Sequence, residues 1–175
     1  TRTARAAAAA APRLRFAFAS CQHYEQGYFG AYRHMLGDEL DLVAFLGDYI
    51  YESSWGREHV RKHDAPEPYA LDEYRIRHAL YKTDPDLQAA HAACPWIVTW
   101  DDHEVDNDYA DDRPEDGMDR ESFLKRRAAA YQAYYEHMPL RADAAHKPGS
   151  ELRIYRQLRF GQLAGDFGES LEHEV

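Results

Sequence analysis

Residues 96 to 108 read WIVTWDDHEVDND. The first five form a short continuous run of apolar and β-prone residues, which reads as a strand buried on both faces, residues 96–100. The next eight hold five carboxylates, one histidine and one asparagine. Like charges crowded this closely repel, so the stretch is either a solvated loop or a site built for a cation. A buried strand that feeds directly into acid weakens the solvated reading, but the stretch alone leaves both open.

The same pattern recurs upstream. LVAFL, residues 42–46, is a second continuous apolar run, and it stops at Gly47-Asp48. Residues 14–20 alternate, with Leu14, Phe16 and Phe18 on one side, and stop at Ser20-Cys21-Gln22. Between these strands the spacing predicts a short helix over 28–36 closed by Gly37, and a helix over 71–82. A third helix runs from an Asp84 N-cap and Pro85 to about residue 93. A fourth is expected over 120–137, where Leu124, Ala128, Tyr131, Tyr135 and Met138 make one apolar stripe. Residues 52–70 and 106–119 read as loops, and 154–160 as a last strand. Strands alternating with helices predict an α/β fold. In open α/β sheets ligands collect beyond the carboxyl ends of the strands. Here three strands deliver SCQ, GDYIYE and DDHE to one edge.

Bulk composition bounds the function. The chain has 175 residues, 45% hydrophobic and 30% charged, enough for one domain with a real core. Its net charge of −10 argues against a nucleic-acid-binding or anionic-membrane surface. An anionic substrate would need cations to attract it. Two cysteines without a CxxC suggest neither a zinc ribbon nor a thioredoxin site, and leave one long-range disulfide open. The start, TRTARAAAAAAPRLR, is too short and too weakly apolar for a signal peptide before Pro12 intervenes. Residues 1–12 read as an Ala-rich linker of a processed or partial chain. No apolar run approaches the roughly 18 residues that span a bilayer.

Each candidate ligand has an ordinary alternative. Asp48, at a strand end after glycine, is a metal ligand or a turn residue that bonds its own backbone. Tyr51, like Tyr49, offers a phenolate suited to a hard trivalent cation, yet with thirteen tyrosines in the chain packing is the common role. Cys21 is a thiolate ligand or a small buried hydrophobe. Asp101, Asp102, Glu104, Asp106, Asn107 and Asp108 offer oxygens to calcium, magnesium or manganese, without the spacing of an EF-hand. His103 would ligate metal or hand a proton to a leaving group. No HExxH, P-loop, GxSxG or GxGxxG occurs.

Taken together in order, FAFASCQ, FLGDYIYE and WIVTWDDHEVDND, with GYFGAYRHM, YKTDPDLQAAHAACPW and RRAAAYQAYYEHMPLR, closely resemble the PhoD-like alkaline phosphatases. These are phosphodiesterases and phosphomonoesterases of the calcineurin-like metallophosphoesterase superfamily. The resemblance implies part of an αββα sandwich around a multinuclear metal site. It implies iron(III) held by Cys21, Asp48 and Tyr51, with Asp48 bridging to calcium. It implies Asp102 as a further metal ligand, His103 beside the scissile phosphate, and Asn107 at metal or phosphate. Hydrolysis of a phosphate ester by a metal-activated water, in an extracellular or periplasmic setting, would follow. If so, the carboxylates of Asp48 and Asp102 must lie within about 8 Å of each other.

The chain also departs from the family, whose members are longer. They carry a small β-rich domain and an export signal first, and more His and Asp ligands in their C-terminal half. Here the pattern ends near residue 163. Residues 13–163 therefore read as a partial catalytic domain and 164–175 as a divergent acidic tail. Part of the core is expected to be exposed, the activity impaired, and a C-terminal segment needed as partner. The rival readings are an inactive truncated fragment and a simple calcium module built on the acidic loop.

Overall fold

The computed structural model describes residues 13–140, 154, 158–160 and 164–167, the last two runs as backbone. The expected linker 1–12, most of the expected tail and part of the expected strand 154–160 lie outside the described residues.

Three parallel strands, β1 (Phe16–Ala19), β2 (Leu42–Leu46) and β3 (Trp96–Thr99), form one sheet in the order β1-β2-β3. The register aligns Ala19 with Phe45, and Leu46 with Thr99, so all three strands finish at one edge. Helices α1 (Ala31–Met35), α2 (Leu71–Tyr81), α3 (Pro85–Ala93) and α4 (Arg120–His137) connect and cover them, giving the α/β fold expected. Helix α3 begins as its sequence dictates: Asp84 accepts from the N–H groups of Asp86 and Leu87, and Pro85 needs no partner. Helix α2 starts on Glu73, whose Oε2 accepts from the N–H groups of Tyr69 and Ala70. Beyond residue 154 the backbone forms an antiparallel pair, β4 (Leu158–Phe160) and β5 (Ala164–Phe167). Part of the stretch read as a tail is therefore strand.

Side chains alternate across a strand, and only one side of this sheet is fully covered. Val43, Phe45, Trp96 and Val98 face one way and are buried, with Phe45 stacked on Trp96 at 6.0 Å. On the other face Phe16 is 45% exposed, Phe18 71% and Leu46 41%. The expectation that β2 is buried on both faces fails at Leu46. The apolar side of β1, Phe16 and Phe18, is the open side, while Ala19 packs on the core.

Two further elements differ from expectation. The helix over 28–36 shrinks to α1 plus a 3-10 turn at Leu36–Asp38, and Glu39, not Gly37, takes the left-handed closing position (φ 51°). Gly30, poor in the helix interior, holds the N-cap instead. In α4 the buried residues are Phe123, Arg126, Ala130, Ala133 and Tyr134, offset from the expected stripe, of which only Met138 is buried. The reason is Arg126. Its guanidinium is paired with Asp106 (3.0 Å) and Glu67 (2.7 Å) and donates to the Tyr74 hydroxyl (2.9 Å), so a charge sits inward. Pairing of this kind is what permits a buried charge.

The irregular segment 52–70 is held by a second buried arginine. Arg77 donates to the carbonyls of Tyr51 and Glu52 (both 2.6 Å), Ala65 (3.0 Å) and Pro66 (2.9 Å). One side chain thus satisfies four backbone acceptors and fixes the chain just after the GDYIYE turn. Cys21 is exposed and Cys94 buried, and the two are not joined by a disulfide. Among the described residues no helix is long and apolar enough to cross a membrane.

Helix packing carries a pH consequence. His78 is fully buried, stacked on His137 (ring centroids 5.1 Å apart), and neither of its ring nitrogens has a hydrogen-bond partner. Burial, then His137 and Lys82, hold its pKa well below the usual value. His91 is pulled to about 4 by burial and then by Lys82. In the unfolded chain histidine titrates near pH 6.5. Below that pH the unfolded state takes up protons the folded state refuses, so stability falls as pH drops from about 6.5 toward 4. For His91 the full effect is roughly 3 kcal/mol, less for the ring's partial exposure. Urea unfolding midpoints should therefore fall between pH 7 and 4.5, and His78→Phe should flatten that fall. An unchanged slope in the variant would remove His78 from the explanation.

Candidate metal centre

The three strand ends turn sharply at the carboxyl edge. Cys21 (φ 55°) and Asp48 (φ 56°) both adopt left-handed backbone, and Gly47 sits at φ 104°. Parallel pairing continues just past the strands through Cys21 N–H to the Gly47 carbonyl (3.1 Å) and Gln22 N–H to the Asp48 carbonyl (3.2 Å). A left-handed residue redirects the chain in one step, and here both such residues, Cys21 and Asp48, are themselves candidate ligands. Non-glycine residues there are uncommon and collect at functional sites.

At this edge one ligand atom each from Asp48, Asp102 and His103 lie within 4.8 Å of one another. Two oxygens on one calcium at about 2.4 Å are at most about 4.8 Å apart, so the spacing suits a shared hard cation. Asp48 is buried, and its Oδ1 has no hydrogen-bond partner. Its Oδ2 accepts from the Tyr51 hydroxyl at 3.0 Å. The Cys21 thiol stands beside Ser20, Asp48 and Tyr51. A buried carboxylate oxygen with nothing to bond, ringed by carboxylate, imidazole, thiol and phenol, fits a cation. Burial, then the Asp48 charge, raise the Tyr51 phenol. Burial raises Cys21 as well, and a neighbouring Asp48 charge adds to it. A cation on Asp48 would relieve that repulsion and favour the ionised ligands.

His103 is held by a residue given no role in the sequence reading. Its Nδ1 lies 2.8 Å from Glu52 Oε2, and the Glu52 carboxylate is almost fully buried. Burial alone would lower the His103 pKa, but the Glu52 hydrogen bond and charge, with Asp102 and Asp48, push it up to about 9. Burial would likewise raise Glu52, and His103 outweighs it and holds the acid low. The chain of contacts runs outward: Ser53 Oγ donates to Glu52 Oε1 (2.9 Å), and the Trp55 indole N–H to Ser53 Oγ (2.8 Å). Tyr51 lies against the His103 ring at 4.1 Å, and Trp55 stands nearly perpendicular to it at 5.6 Å. Glu52 was visible in the sequence only as the one carboxylate closing an otherwise uncharged YIYE run.

The remaining acids divide. Glu104 is fully buried and accepts from three backbone N–H groups, and burial still lifts its pKa to about 8. Asn107 is not drawn into the cluster by its amide nitrogen, which donates to Asp108 (3.1 Å) and Glu115 (2.6 Å). Asp106 is paired with Arg126, Asp111 with Arg127 and Asp112 with Arg120. Arginine thus takes Asp106 from the oxygen ligands that a simple calcium module would use, and pairs with two further acids of the loop, Asp111 and Asp112. Cys21 stands beside Asp48 without joining the group of three.

A family model described as PhoD-like phosphatase matches residues 16–167. The chain belongs to the PhoD-like phosphatase family. The match runs from β1 through β5, past the end expected near residue 163. Among relatives of this PhoD-like chain, alkaline phosphatase D of Bacillus subtilis (strain 168) is 53% identical over 171 residues. That similarity covers 94% of this chain and 29% of the relative. A solved structure, described as "Structure of PhoD", superposes with a TM-score of 0.87 at 52% identity, covering 93% of this chain and 32% of that one. The PhoD-like chain thus spans about a third of the length of the proteins it matches.

Proposed function

We propose that this chain carries the core of a metal centre for hydrolysing phosphate esters, diesters and monoesters alike. The observation that carries the reading is the approach of Asp48, Asp102 and His103 within 4.8 Å beside the His103–Glu52 pair. Cys21, Asp48 and Tyr51 would hold iron(III), and Asp48 with Asp102 would hold calcium, with Asn107 a more distant contributor to metal or phosphate. When bound, such cations neutralise the phosphate and activate water as a nucleophile. They would also let a chain of net charge −10 attract an anionic ester. The protein's own residues supply the proton. Glu52 holds His103 Nδ1–H, which leaves Nε2–H to protonate the departing alcohol oxygen as the phosphorus–oxygen bond breaks. Tyr51 and Trp55 flank the ring and restrict its tilt.

Residues 13–163, extended by the family match to 167, would form part of the catalytic domain. Action outside the cytoplasm rests on the family resemblance alone. Calcium takes six to eight oxygens, and the group formed by Asp48, Asp102 and His103 alone offers fewer. Slow turnover is therefore expected from these 175 residues, improved by a complementary C-terminal segment.

The test is hydrolysis of bis(p-nitrophenyl) phosphate with iron and calcium added or chelated. Slow, metal-dependent turnover is expected, reduced about 100-fold or more in His103→Asn. Turnover that ignores chelation would overturn the reading, and none at all would assign the chain to the inactive alternative.

A further inference from the structure

The carboxylate of Glu104 joins two of the three turns that carry the centre. Its Oε1 accepts from Tyr49 N–H at 2.5 Å, and its Oε2 from Asp48 N–H at 3.1 Å and Asp101 N–H at 2.8 Å. Backbone pairing between β2 and β3 ends at Leu46 and Thr99, so no strand ladder holds these turns together. Asp48 and Tyr49 lie on the turn after β2, and Asp101 on the turn after β3. The bonds thus reach residues 55 and 56 positions away, as well as one three away. The turn after β3 is itself closed by the Val105 and Asp106 N–H groups on the Asp102 carbonyl, so Glu104, Asp102 and His103 move as one unit.

We propose that Glu104 is the positioning residue of the centre, setting the separation between Asp48 and the Asp102–His103 pair. Three bonds from backbone N–H groups of two separate turns converge on the two oxygens of one carboxyl group, and that geometry ties the turns together. Glu104 is 1% exposed, so water does not compete for these bonds. Fixing the N–H of Asp48 fixes the peptide plane from which its side chain springs. Fixing the N–H of Asp101 does the same one residue before Asp102. Outer partners of metal ligands act in this way, and their loss commonly lowers metal affinity 10- to 100-fold.

This proposal rests on the metal reading above, and its test separates the two. Calcium chloride is titrated by calorimetry into the wild-type chain, Glu104→Gln and Glu104→Asp. Glutamine keeps the size but presents an amide N–H₂ to backbone donors, and aspartate keeps the carboxyl group but is too short to reach both turns. Both variants should unfold cooperatively yet bind calcium about 10-fold more weakly or worse. A calcium affinity within about 2-fold of wild type in either folded variant overturns the proposal. Should neither variant fold, Glu104 is a requirement of the fold rather than a device of the site, and the proposal also fails. If wild type itself binds no calcium, the metal reading fails instead, and amide exchange decides the role of Glu104. In the ion-free wild type the N–H groups of Asp48, Tyr49 and Asp101 should then exchange far more slowly than those of Ser53 and Ser54. Equal exchange would end the proposal on its own.

Discussion

Gly47→Ala should unfold the chain or open its site, lowering stability by about 3–5 kcal/mol. Two independent effects combine. At φ 104° an L side chain is strained, and glycine is the residue that adopts this backbone freely. A Cβ at Gly47 would also lie 2.6 Å from the Asp101 Cβ, 2.8 Å from its N and 3.1 Å from the Trp100 carbonyl carbon. Two of those atoms are backbone, so relief requires the turns after β2 and β3 to separate. Those are the turns that bring Asp48 to Asp102 and His103. A melting temperature on the order of 10 °C below wild type is expected, with calcium binding lost in whatever remains folded. A variant that melts and binds like wild type would show that the close passage of the two turns has no structural consequence.

Asp48→Asn should have the larger functional effect and the smaller structural one. Asparagine tolerates left-handed backbone, so φ 56° at this position adds no strain. It keeps the shape of the side chain and one oxygen. What it removes is the charge on a buried group whose Oδ1 has no protein partner. If that oxygen is there for a cation, the loss of charge should weaken cation binding at least about 100-fold, beyond what an outer partner's loss produces. If it is merely a turn residue, the substitution relieves a buried unpaired carboxylate and the protein becomes more stable with binding unchanged.

Much of this was legible in the sequence because it rests on local signals. The apolar run 96–100 and the Asp84-Pro85 start of α3 each carry their own instruction, and both elements formed within a residue of expectation. Convergence of the strand ends followed from topology, since parallel strands in register finish at one edge. Other features depend on contacts far apart in the chain. Arg126 reads as solvent-facing on helical spacing, yet Asp106, Glu67 and Tyr74 draw it inward and rotate the buried face of α4. Glu52 and Glu104 look like two more charges among thirty-one acids. Only the fold shows one holding His103 and the other holding two turns. For β1 the alternation in the sequence matches the strand, but which side is covered depends on what packs there.

The most direct measurement compares calcium isotherms of the wild-type chain, Asp48→Asn and Asp111→Asn. Asp111 lies in the acidic loop, is exposed, pairs with Arg127 and also has left-handed backbone (φ 50°), which makes it a matched control. Asp106, buried against Arg126, would confound the comparison. A centre at the strand edge predicts that Asp48→Asn loses at least about 100-fold in affinity while Asp111→Asn stays within about 2-fold of wild type. Unchanged binding in Asp48→Asn, or an equal loss in Asp111→Asn, would contradict it.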